Sequence, residues 1–226
     1  MQDPTRLFLL RHGQTAWNAE MRIQGQLDIP LDATGRWQAE RLALALQGEG
    51  IQALFSSDLQ RACQTAAALA AVTGLAVQRD TALRERGFGR FEGSTYAEIE
   101  TQWPEEALRW RLREPGFGPG GGEPLQAFYD RSVQAVLALA ERHAGQTLAV
   151  VAHGGVLDCL YRAASRIPLG APRTWQLANA TINRLLWTPE GLSLVGWNDA
   201  GHFDSDAPGP PRPSSMAQRQ PAATPG

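Results

Sequence analysis

The chain contains no lysine. All 21 of its basic residues are arginine. That absence excludes a Schiff-base lysine, a lysine general base and a Walker-type phosphate lysine. A bound anion must then be met by Arg, by protonated His or by backbone N–H groups. Codon bias in a GC-rich genome explains most of this arginine use, but it leaves Arg as the only permanent cation. Cysteine is equally scarce. Cys63 and Cys159 form no C-x-x-C spacing, which fits a reducing, cytoplasmic setting. Neither has Arg six residues later, since Leu69 and Ser165 stand there, so the cysteine-phosphatase mechanism is excluded. Long apolar runs are missing too. None approaches the ~18 residues of a membrane helix, and Met1–Arg6 does not read as a signal peptide. A net charge of −2 argues against nucleic acid or an anionic membrane as partner.

With 226 residues, 43% of them hydrophobic, the chain can bury a substantial core as one domain. Leu7–Leu10, Ile51–Phe55 and Thr147–Ala152 are short, wholly or mostly apolar runs that read as buried strands. Leu75–Val77 reads as another strand. Helices are expected over Gly35–Leu46, Leu59–Val72 (N-capped by Asp58 and closed by Gly74), Ala127–His143 and Gly155–Arg166. This alternation predicts an α/β fold in three layers, with a mixed, mostly parallel sheet flanked by helices. Thr181–Trp187 and Leu192–Trp197 read as an antiparallel hairpin at the sheet edge. Two stretches break the pattern. About 87–123 carries Trp103, Trp110 and a glycine-rich run, and reads as a small helical lid insertion in a domain spanning 1–203. From 204 to 226 the composition is rich in Pro, Ser, Ala and Gln, and predicts a disordered tail.

In open α/β sheets, ligands bind outside the carboxyl ends of the strands. His12 follows the first strand as Arg11-His12-Gly13. His153 follows Thr147–Ala152 as Ala152-His153-Gly154-Gly155. The second strand carries Ser56-Ser57-Asp58-Leu59-Gln60-Arg61 to the same edge. Should the strands be central neighbours, two imidazoles and an arginine at a helix N-terminus would converge. Leu83-Arg84-Glu85-Arg86 adds a carboxylate flanked by cations, and Glu92 offers a second one nearby.

In their order along the chain, Leu9-Leu10-Arg11-His12-Gly13-Gln14-Thr15-x-x-Asn18, Ser56-Ser57-Asp58-Leu59-x-Arg61-x-x-Gln64-Thr65-Ala66, Leu83-Arg84-Glu85 and Val151-Ala152-His153-Gly154 resemble the histidine phosphatase, or phosphoglycerate mutase-like, superfamily. The resemblance covers about residues 5–203 and implies a phosphoglycerate mutase-like fold. It also implies a phosphohistidine on His12, a proton donor at Glu85 (with Glu92 left open), and His153, expected protonated beside a phosphate dianion. Arg11, Asn18, Arg61 and the Gly154 N–H would bind the phosphate, with no metal and no cofactor. His12 should keep one ring nitrogen as N–H on a backbone carbonyl such as that of Gly13. Substrate contacts are expected from Gln24, Gly25, Arg84, Arg86 and Arg90, and from the lid.

The expected partner is a small phosphorylated metabolite of phosphosugar, phosphoglycerate or phosphoserine type, bound by a monomer or homodimer. Gly155 stands where the family's mutases typically carry Asn, which favours a phosphomonoester hydrolase. A mutase-type phosphotransferase and a non-catalytic phosphate-binding module are the alternatives.

Overall fold

The computed structural model describes residues 3–204, so the tail expected over 204–226 lies almost wholly outside the described residues. Six strands form one sheet in the order β3-β2-β4-β1-β5-β6. They are β1 (Thr5–Arg11), which a short helix α1 (Ala16–Ala19) follows, β2 (Ala53–Ser56), β3 (Val77–Arg79), β4 (Thr147–Ala152), β5 (Ile182–Thr188) and β6 (Gly191–Asp199). The first four run parallel. β5 is antiparallel to β1, and β6 to β5. The central strands read as unbroken apolar runs because both of their faces are covered, as parallel sheets require.

Alternate residues of β1 feed two cores. Leu7 and Leu9, with Leu148 and Val150, pack under α6 (Leu125–Arg142) and α7 (Gly154–Ser165) through Phe128, Val136, Leu157 and Leu160. Phe8 and Leu10, with Ala149 and Val151, pack against α2 (Ala33–Ala45) and α3 (Gln60–Thr73) through Leu42, Leu46, Ala62 and Leu69. A third cluster stands apart from these. Ile23, Phe91, Ile99 and Ala107, with Trp103 and Trp110, join α4 (Tyr96–Gln102) and α5 (Pro104–Arg111) into the inserted lid. The expected hairpin at the sheet edge is β5–β6.

Two local expectations need correction. Asp58 does not cap α3. The helix starts at Gln60, and the Gln60 N–H donates to Asp28 Oδ1 at 2.6 Å. Asp58 instead accepts two hydrogen bonds from Arg84. An acid from a distant loop thus supplies the helix terminus, and the adjacent acid is drawn off by an arginine fork, which binds a carboxylate better than one N–H does. The third strand lies later than expected, at Val77–Arg79, because those residues face Leu54–Ser56 in the parallel ladder. Gly74 ends α3 in the left-handed region (φ 73°), where a side chain would be strained.

Candidate active site

β1 and β4 are neighbours in register up to Arg11 and Ala152. The next residue of each is a histidine, and the ring centroids of His12 and His153 lie 5.2 Å apart. His12 Nδ1 is 2.7 Å from the Gly13 carbonyl oxygen. A carbonyl can only accept, so Nδ1 carries the proton and Nε2 is left as a lone pair. His153 Nε2 is 2.8 Å from Ser57 Oγ at the end of β2, while its buried Nδ1 has no protein partner. Burial, then the charges of Arg61 and Arg11, push the His12 pKa well below its ordinary value. Burial and Arg61 do the same to His153. A buried imidazole beside two guanidiniums is thereby pushed towards its neutral form, whereas the expected protonation of His153 belongs to the site with a phosphate dianion in it.

Arg11 and Arg61 are held in place by backbone carbonyls. Arg11 Nη1 donates to Leu177 O at 2.5 Å. Arg61 Nη1 and Nη2 donate to Leu27 O at 2.8 Å and Gly25 O at 2.7 Å. Burial lowers each pKa to about 10, still far above neutral pH. Both Nε atoms are buried without a protein partner. An unmet buried donor costs about 1–3 kcal/mol, and these two N–H groups are of the kind that an anion would satisfy. Asn18 faces the same cavity. Its Oδ1 accepts from Thr15 N and Thr15 Oγ1, leaving the amide nitrogen as a donor.

The two acidic candidates separate clearly. Glu85 lines the cavity, accepting from the Gly155 N–H at 2.9 Å and the Arg86 N–H at 2.8 Å. Gly155 has to be glycine for this approach, since a Cβ there would lie 2.1 Å from Glu85 Oε1. Glu92 is committed to structure, accepting from the backbone N–H groups of Gln26 and Phe88.

Gln24, Gly25, Arg86 and Gly154 line the cavity as expected. Arg86 also binds Glu123 O and Phe117 O, fastening the lid loop. Arg84 and Arg90 do not line it. Arg84 is turned to Asp58, and Arg90 pairs with Glu106. In their place stand Arg22, Tyr96, Arg113, Asp158 and Arg173. Sequence reading missed these residues along with Ser57. Arg173 sits in an irregular loop with no motif, and only the position of Ser57 at a strand end could have signalled it.

The fold and this arrangement define a histidine-centred cavity caged by arginines. Over residues 7–200 the chain matches the histidine phosphatase superfamily (branch 1), and it belongs to that family. It is 37% identical over 206 residues to phosphoglycerate mutase-like protein 4 of Arabidopsis thaliana, covering 89% of this chain and 88% of that one. The structure resembles a mycobacterial glucosyl-3-phosphoglycerate phosphatase (36% identity, TM-score 0.76, covering 86% and 99% of the two chains). It also resembles a phosphoserine phosphatase from Entamoeba histolytica (26%, TM-score 0.80, covering 88% and 99%).

Proposed function

We propose that this chain is a phosphomonoester hydrolase acting on a small anionic phosphometabolite through a phosphohistidine. The observation that carries the reading is the Gly13 carbonyl on His12 Nδ1, which fixes the tautomer with Nε2 free beside the arginine cage. In the first step Nε2 attacks phosphorus, the P–O ester bond breaks, and the leaving oxygen takes a proton from the carboxyl of Glu85. In the second, the Glu85 carboxylate takes a proton from water, the oxygen of that water attacks phosphorus, and the P–N bond breaks to release phosphate. Arg11, Arg61, Asn18, the Gly154 N–H and His153 hold the equatorial oxygens, whose charge dominates the transition state. No step is routed through a metal.

Support for hydrolysis over transfer comes from Gly155, which stands where the family's mutases typically carry Asn, and from the names of the two phosphatases above. The plant relative's name keeps the mutase reading in play. Release of phosphate from a phosphomonoester panel tests the proposal, with isomerised product scored in parallel. Free phosphate, an acid-labile and alkali-stable phosphoenzyme, and insensitivity to EDTA are expected. The His12→Ala protein should lose roughly 10³-fold or more in aryl phosphate turnover while keeping its fold. Isomerisation without phosphate release would establish the mutase reading instead. Tight phosphate binding without turnover would establish a binding module.

A further inference from the structure

We propose that Arg173 and Asp158 build a second subsite in the same cavity, which takes a second anionic group of the substrate. The proposal rests on the phosphomonoester reading and specifies its substrate class: a phosphate ester with another negative charge a few bonds from phosphorus. Asp158 is buried on α7. Its Oδ2 accepts from Arg113 Nη2 at 2.8 Å and Arg162 Nε at 3.0 Å. Its Oδ1 is buried, lacks a hydrogen-bond partner and lies 3.9 Å from Arg173 Nε. One carboxylate thus gathers three guanidiniums, and the cluster keeps an excess of two positive charges.

Arg173 is the member whose fork stays available. Its Nε donates to Trp175 O at 3.1 Å, and no other hydrogen bond ties it among the described residues. Arg113 is fixed by Leu169 O as well as by Asp158. Arg162 is fixed by Pro168 O and lies over the Trp175 ring.

The subsite shares its cavity with the arginine cage: Arg11, Arg61, Asp158 and Arg173 all line it. Tyr96 lines the same cavity. Burial raises the pKa of its phenol, and the charges of Arg173 and Arg11 act the other way. Two cationic groups lining one cavity fit a ligand that is negative at both ends. An arginine fork takes a carboxylate or a phosphate equally well.

The test compares 3-phosphoglycerate with glycerol 3-phosphate, which differ by a carboxylate in place of a hydroxymethyl group. Fructose 1,6-bisphosphate serves as the arm with a second phosphate, and p-nitrophenyl phosphate as the singly anionic control. The protein should show kcat/KM roughly 10- to 100-fold higher for a doubly anionic ester than for glycerol 3-phosphate. The better of the two doubly anionic arms identifies the group. Arg173→Gln should erase that preference, and Arg173→Lys should restore part of it. Equal losses on all substrates, or no preference in the unaltered protein, would overturn the subsite. Calorimetric affinities of the same esters for His12→Ala, with and without Arg173→Gln, read it without turnover. Absent catalysis would sink the hydrolase, and unselective binding would sink the subsite.

Discussion

Ser57 holds the imidazole of His153 through one hydrogen bond, and Gly155 holds the carboxylate of Glu85 through another. Both act on groups that the proposed chemistry needs in fixed orientation. Ser57→Ala leaves His153 Nε2 without a partner, so the ring can turn away from the phosphate. A fall of roughly 10-fold or more in kcat/KM is expected, with melting temperature little changed. Gly155→Ala puts a Cβ into the space of Glu85 Oε1 and pushes the acid aside. The expected signature is selective. Alkyl phosphates, whose leaving oxygen needs a proton, should lose about 10²-fold in kcat/KM. p-Nitrophenyl phosphate, with its good leaving group, should lose only a few-fold. Equal losses on both esters would mean that Glu85 does not donate that proton.

At the scale of elements, the lid is a small core of its own. Phe91 is fully buried, its ring 5.4 Å from Trp103 and 5.7 Å from Trp110. Tyr96 stacks on Trp110 at 5.1 Å. The lid is bolted to the sheet domain by Arg86, through the carbonyls of Phe117 and Glu123, and by Arg131, which binds Glu123 and the carbonyl of Ala82. Removing a buried Phe costs about 3–5 kcal/mol. Phe91→Ala should therefore open the lid while the sheet persists. Hydrogen exchange should quicken at the amides of α4 and α5 and stay slow in β1 and β4. Uniform acceleration would show that lid and sheet unfold as one unit.

For the whole molecule, the buried histidines set the response to acid. The folded pKa values of His12 and His153 lie well below the ordinary 6.5, and that of His202 is also lowered by burial. Below pH 6.5 the unfolded chain takes up protons that the folded chain refuses, so folding stability falls as pH drops. The slope approaches about 1.4 kcal/mol per pH unit for each of His12 and His153. Asp58 and Asp199, depressed by arginine hydrogen bonds, add their loss only at lower pH. The melting temperature should decline from pH 7 to pH 5, with added phosphate offsetting part of the decline by binding the folded state. A flat or rising melting temperature in that window would contradict the neutral, buried histidine pair.

Much of this protein was written locally. The apolar runs of β1 and β4, the helix periods and the β5–β6 hairpin are short-range patterns, and each histidine directly follows its strand. The positions of His12, Arg11, Arg61 and His153 at one sheet edge could therefore be read from sequence. What a charged side chain does could not be, because its partner is remote in the chain. Asp58 meets Arg84 26 residues on, Gly155 meets Glu85 at a separation of 70, and Ser57 meets His153 at 96. Arginine was the only lasting cation available, yet sequence alone did not distinguish Arg86 at the cavity from Arg84 on an acid, nor bring in Arg173 from an irregular loop. A strand's periodicity belongs to its own residues, whereas an electrostatic partner is chosen by whatever the folded chain brings within a few ångströms. For these charged groups, only the tertiary structure made that choice.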